Sequence, residues 1–342
     1  MGANSRSVRS QFLGGESLLI DFGKMVMLSD HPPRFGGTGK GPMPGDLMKG
    51  ALASSVVLAL GRAGERGELP IQAVGAYCTS PPLDFEEDAQ SGQRIGYLSA
   101  FNVDVVLAGT LTSKELAEAE RIAQDCLIAR ALSGKLPLEE SDEFVQVPQD
   151  HARDRDPEIL QEVRGGVSTG HDEKKSPASA RADYLNGGRA VLTWESSSII
   201  VSDESDGVKP EDLLMGSLVS CTTVFAARAA RRVNANVDIR NNSECELARD
   251  GSTFASFTKV LTISGDVNPE QMNDISFAAD HCALGETLRR EAKVTIRFTN
   301  NIATGSAFSS GSATDSFLPV SSQIDCDDGA CCVADFAEKS SA

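Results

Sequence analysis

A twelve-residue segment occurs twice in this chain, and that repeat limits the folds open to it. PGDLMKGALASS (44–55) and PEDLLMGSLVSC (210–221) share Pro, Asp, Leu, Gly, Leu and Ser in register. The correspondence runs on, with Arg62 and Arg66 matching Arg228 and Arg232. A second pair lies downstream: FNVDVVLAGTLTSKELAEAERIAQDC (101–126) aligns without gaps to FTKVLTISGDVNPEQMNDISFAADHC (257–282). Self-similarity in the same order at two long and nearly equal offsets marks a duplicated structural unit.

Each unit mixes element types. The first repeat reads as a long helix, with Pro at its first position, where a missing N–H costs nothing. The second reads as an alternating strand, a turn and an amphipathic helix that ends at a cysteine. Thr112 or Ser113 is the expected cap of that helix in the first copy, and Asn268-Pro269-Glu270 opens it in the second. LLIDFG/KMVMLSD and ADYLNGG/RAVLTWE read as hairpins ahead of the two long helices. The fold class is therefore α+β, as two tandem domains. The expected boundaries are a disordered terminus at 1–11, a first domain at 12–148, a linker at 149–182, a second domain at 183–302 and a flexible tail at 303–342. The linker is charged and rich in Gly, Pro and Ser, with one short helix at 157–164. Residues 303–323 are rich in Ser and Gly.

Composition narrows the partners. The 342-residue chain has a formal net charge of −17 and is 40 % apolar. That is enough apolar material for folded cores. So acidic a surface repels nucleic acid and anionic membranes, and neither is an expected partner. No stretch reads as a signal peptide or a membrane span, and the expected location is the cytoplasm.

There are eight cysteines, at 78, 126, 221, 245, 282, 326, 331 and 332. In that setting cysteines are packing residues, metal ligands or redox groups. Cys221 follows the small residues Gly216, Ser217 and Ser220, which suit a helix closely packed against another. A cysteine there can be a small hydrophobe and nothing more. Cys126 and Cys282 occupy one repeat position, and Cys78 and Cys245 roughly another. His31, His151 and His171 show no metal-ligand spacing.

Residues 183–302, through PEDLLMGSLVSC and AADHC (278–282), resemble a domain of the OsmC/Ohr family of peroxide-reducing proteins. Residues 12–148 resemble it less closely, through GPMPGDLMKGALASS and the second helix. The resemblance implies an intertwined pair of domains with central helices packed together, here an intrachain pseudo-dimer, as a monomer or a homodimer. It implies that Cys221 attacks a peroxide and that Cys282 resolves the product as a disulfide. It further implies a thiolate-steadying arginine, matched by Arg189 in Asn186-Gly187-Gly188-Arg189, and a glutamate, matched by Glu211. Outside the resemblance, Arg189 reads as a hairpin charge and Glu211 as a first-turn acid favoured by the helix dipole. Ten helical residues span about 15 Å, so Glu211 can reach Cys221 only through a long arginine, or serve the other half. In the latter case its counterpart is Gly45, and the clamp is missing.

The first copy departs further. Ser55 stands at the position of Cys221, and Lys24 is the candidate for the arginine's place. The fused chain is then expected to carry one active site, completed by a degenerate half. The expected activity is thiol-dependent reduction of an organic hydroperoxide or hydrogen peroxide, with an external dithiol reductant and no metal or organic cofactor. His281 is a possible accessory group. So are Cys326, Cys331 and Cys332, which can bind a soft metal or exchange with a disulfide. The alternative is a non-enzymatic OsmC-like binding protein that holds a soft metal, a metalloid or a small electrophile through its thiols.

Overall fold

Neither half of the chain completes either six-stranded sheet by itself. In a computed structural model the described residues are 4–88, 92–134, 140–147, 179–194, 197–203, 207–247 and 254–300. The first half contributes β1 (Asn4–Gly14), β2 (Ser17–Asp21), β3 (Val26–Asp30), α1 (Pro44–Glu65), β4 (Ala73–Thr79), β5 (Asp84–Glu87), β6 (Arg94–Tyr97), β7 (Ala100–Ala108), α2 (Ser113–Gln124), α3 (Leu127–Leu132) and β8 (Glu140–Val147). The second contributes β9 (Ser179–Tyr184), β10 (Arg189–Trp194), β11 (Ser197–Ser202), α4 (Pro210–Arg232), β12 (Asp238–Leu247), β13 (Phe254–Ser264), α5 (Pro269–Asp280), α6 (Ala283–Arg289) and β14 (Lys293–Asn300).

One sheet runs β3-β2-β1-β12-β13-β8 and the other β11-β10-β9-β4-β7-β14. Each N-terminal three-stranded unit has crossed to the other half's sheet, and each closing strand has done the same. β1 pairs antiparallel with β12, and β9 with β4. β8 pairs parallel with β13, and β14 with β7. The halves are therefore interlocked in an α+β fold. β5 and β6 form a separate hairpin in the first half.

The long helices fill the space between the sheets. α1 packs on β9, β4 and β10, α4 packs on β1, β12 and β2, and the two helices pack on each other. Their side chains are buried almost all round, which suits sequences of Ala, Gly, Ser and Leu without a polar stripe. Among the described residues, α4 alone is long and apolar enough to span a bilayer, although the sequence reading found no such segment; 89 % of its apolar window is buried inside the fold. Small residues let the sheets come close. A Cβ on Gly216 would lie 2.7 Å from a ring carbon of Phe22, and one on Gly50, the same repeat position, 2.8 Å from Leu192. Gly216→Val should therefore cost about 1–3 kcal/mol through overpacking. Urea unfolding of the variant checks this.

Several local readings are realised. Both long helices start at the expected prolines. Thr112 caps α2 by accepting from the Glu115 N–H, and Asn268 caps α5 by accepting from the Gln271 N–H. The expected disordered terminus is a correction, because residues 4–11 belong to β1, between β2 and β12. This stretch lacks apolar alternation because its inward side chains are partly polar. Ser10 Oγ lies 2.7 Å from Thr223 Oγ1, and Arg6 donates to Asp212 at 2.9 Å. Both partners lie on α4, more than 200 residues away. The proposed linker also ends early, since β9 begins at Ser179; its short helix at 157–164 lies outside the described residues.

Candidate functional site

Three elements of the second half converge on a pair of sulfurs. Cys221 sits midway along α4. Cys282 is the N-cap of α6, at the break after α5. The two side chains share a hydrogen bond, although 61 residues separate them in sequence. Neither forms a disulfide in this structure. Cys221 keeps 4 % exposure and Cys282 none.

The surroundings of the pair favour negative charge. The hydrogen bond from Cys221 is the largest influence on Cys282, and it outweighs the burial that pushes a thiol upward. The Lys259 ammonium, the Thr222 hydroxyl and the backbone N–H of Gly285 add to it, and the Cys282 thiol is pulled down to about 6. Thr222 Oγ1 lies 3.4 Å from Cys282 Sγ. Gly285 lies against both groups: a Cβ built there would lie 3.3 Å from Cys282 Sγ and 3.9 Å from Lys259 Nζ. Because the sulfurs are hydrogen-bonded, they ionise as a pair and not as two independent thiols.

Lys259 is the residue that sequence reasoning missed. It lies on β13 in the inward register with Phe257, Leu261 and Ile263, and is 1 % exposed. The available signal was a lysine on the apolar face of an alternating strand. A buried ammonium is costly unless a negative group compensates it.

Arg189 and Glu211 are not brought to the sulfurs. Arg189 is exposed at the start of β10, opposite Ser202. Its hairpin belongs to the sheet that packs on α1, whereas Cys221 is on α4. Glu211 faces Arg6 of β1, with a closest approach of 3.6 Å. Lys24 is exposed in the β2–β3 turn. The expected arginine clamp is therefore replaced by a lysine clamp from β13. The crossing of the hairpins is the physical reason.

The first half supplies an internal comparison. Ser55 hydrogen-bonds Cys126, so the geometry of the pair survives there without the first sulfur. At the positions of Thr222 and Lys259 stand Val56 and Val103, both fully buried. Burial pushes the Cys126 thiol up. Burial likewise holds Cys78 and Cys245 at about 12, where they act as packing residues. Loss of the sulfur, the hydroxyl and the cation together leaves that half without a thiolate site.

His281 immediately precedes Cys282 in the chain. Its Nδ1 lies 2.9 Å from Glu286 Oε1, and its ring packs at a tilt of 44° against Phe277, 4.3 Å between centroids. With Phe85, Arg94, Phe225 and Phe277 it lines a small cavity of about 50 Å³. Phe225 is one helical turn beyond Cys221, and so on the same face of α4. A larger cavity of about 340 Å³, lined by Arg9, Gln11, Leu19 and Arg240, lies on the outer face of the β1-containing sheet, away from the sulfurs. Among the described residues no three His, Cys, Asp or Glu side chains group around a point suited to a metal ion. Cys326, Cys331 and Cys332 lie outside the described residues.

No family model matches the chain, and no curated protein matches it. Solved structures similar to part of it are OsmC/Ohr-like proteins. An organic hydroperoxide resistance protein OsmC from Legionella pneumophila matches at 15 % identity, over 39 % of this chain and 93 % of that one, with a TM-score of 0.31. An OsmC-like protein from Mycoplasma pneumoniae matches at 17 % identity, over 38 % of this chain and 99 % of that one, with a TM-score of 0.29.

Proposed function

We propose that the chain is a thiol-dependent peroxidase that reduces organic hydroperoxides or hydrogen peroxide through Cys221 and Cys282. One observation carries the reading: two hydrogen-bonded thiols share a buried site with Lys259, and Cys282 is held at about 6. A thiolate attacks an O–O bond, and a second thiol within reach closes the disulfide.

The steps balance as follows. The proton of the pair moves onto Cys282, leaving Cys221 as the thiolate. Cys221 is the attacking sulfur because it alone of the two retains exposure. Its sulfur bonds the terminal peroxide oxygen, the O–O bond breaks, and an alkoxide departs. Cys221 is then a sulfenic acid. The Cys282 thiol attacks it, the S–S bond forms, and the sulfenic hydroxyl leaves as water with the Cys282 proton. An external dithiol reduces the disulfide by exchange. No metal or organic cofactor takes part, and the acidic chain works in the cytoplasm without nucleic acid or membrane.

The test is turnover of cumene hydroperoxide with a dithiol by the full chain and by a truncation at residue 320. Turnover in both places the chemistry in the buried pair. No turnover in the full chain, with stoichiometric soft-metal binding that is lost on truncation, establishes the binding protein instead.

A further inference from the structure

Counting protons in this reaction exposes a gap that the sulfur pair cannot fill. The attacking thiolate has no proton to give, and the proton on Cys282 leaves with the water formed at the disulfide step. The alkoxide released when the O–O bond breaks needs another. We propose that His281, oriented by Glu286, is the proton donor to that leaving alkoxide. The assignment rests on the peroxidase reading and adds a residue to it.

The geometry is that of a carboxylate-oriented imidazole. His281 is the C-cap of α5, immediately before Cys282. Its Nδ1 donates to Glu286 Oε1 at 2.9 Å, which leaves Nε2 as the exchanging nitrogen. Glu286 is 5 % exposed and is itself fixed by Arg289 at 2.9 Å and Arg290 at 3.0 Å. Its backbone N–H donates to the Cys282 carbonyl at 3.0 Å, which ties the dyad to the sulfur-bearing turn. The other charged groups near the dyad are Asp280, whose carboxylate lies 3.7 Å from Nε2, Arg289, which pairs with Glu286, and Arg94, which lines the same cavity. The imidazole side chain is 26 % exposed, so it can take up a proton from solvent, and it also lines the cavity beside Phe225.

The degenerate half agrees. At the positions of His281 and Glu286 it carries Asp125 and Arg130. Asp125 pairs with the exposed Arg121 on its own helix, at 3.1 Å. The dyad is thus absent from the half that lacks the attacking sulfur.

The reaction at the donor is a transfer of one proton. The donor is the imidazolium: its Nε2–H bond breaks and an O–H bond forms on the alkoxide, giving the alcohol and a neutral ring that keeps its Nδ1–H on Glu286. Nε2 is then reprotonated from solvent.

The experiment compares wild type and His281→Gln in single turnover with two oxidants. tert-Butyl hydroperoxide releases a poor leaving group that needs the proton, while peracetic acid releases acetate, which does not. The variant should oxidise about 10²-fold more slowly than wild type with the hydroperoxide, the scale of general acid catalysis, and about equally with the peracid. An intact peracid rate also reports that the site is folded. In wild type, a solvent deuterium isotope effect on the hydroperoxide reaction alone supports the same donor without any substitution. An equal loss with both oxidants, no loss with either, or no isotope effect overturns the role of His281. A wild type inert to both oxidants overturns the peroxidase reading itself.

Discussion

Cys221→Ser should abolish peroxide turnover while leaving the fold intact. The expected loss is at least about 10³-fold, because the remaining thiol, Cys282, has no exposure through which a peroxide could reach it, and a serine hydroxyl cannot form the sulfenic acid. Ser55 already occupies this position in the first half, on the same turn of the equivalent helix and hydrogen-bonded to Cys126. A serine at 221 can therefore keep the hydrogen bond to Cys282 and fill nearly the same volume. Cys282→Ser should behave differently. Cys221 would still react once and stop as a sulfenic acid, trapped by dimedone in stoichiometric amount. Loss of cycling with retention of the first oxidation separates attack from resolution. If Cys221→Ser keeps wild-type turnover, the attacking sulfur has been assigned wrongly.

Lys259→Met should move the pH dependence of thiol reactivity. The ammonium lowers the pKa of the pair, so its removal raises it while keeping most of the buried volume. The sign follows from the thiolate being the reactive form. In wild type, reactivity falls as pH drops through about 6. In the variant the fall begins at higher pH. The Cys221 hydrogen bond, the larger influence, remains, so the rate at pH 7 should drop by less than the roughly thirtyfold that a return to the free cysteine value of about 8.5 would give, and the two proteins converge at alkaline pH. Stability should hold or rise, because a methionine in an apolar strand face needs no counter-charge and a protonated thiol leaves no buried ion behind. The measurement is the rate of reaction with monobromobimane across pH 5–10. An unchanged midpoint would contradict the role given to Lys259. Val103 at the equivalent position of the first half is nature's version of this substitution, paired there with the loss of the sulfur.

Much of this was legible from local pattern. The prolines at 44 and 210, the caps at Thr112 and Asn268, and the two hairpins carry their signals within a few residues, and the structure places them where those signals point. The resemblance carried by PEDLLMGSLVSC and AADHC, and not the repeat alone, singled out Cys221 and Cys282. The exchange of the N-terminal strands between sheets carries no local signal, because a strand's sequence encodes its two faces and not its neighbour. That exchange explains the error over Arg189, which sits in a hairpin of the right type in the wrong sheet. β1 was missed for a related reason: its inward residues include Arg6 and Ser10, whose partners Asp212 and Thr223 exist only once the halves interlock. Lys259 was in plain view in FTKVLTIS. Its meaning required knowing that the inner face of β13 meets the Cys282 turn.

The most direct measurement is a titration of the fully reduced protein with one equivalent of cumene hydroperoxide and no added reductant, followed by intact mass and peptide mapping. The account predicts one equivalent of cumyl alcohol per chain, the loss of two hydrogens, and a single new cross-link joining the peptides that contain Cys221 and Cys282. Hydroperoxide left unconsumed, or a cross-link confined to the C-terminal cysteines while 221 and 282 remain as thiols, would contradict it.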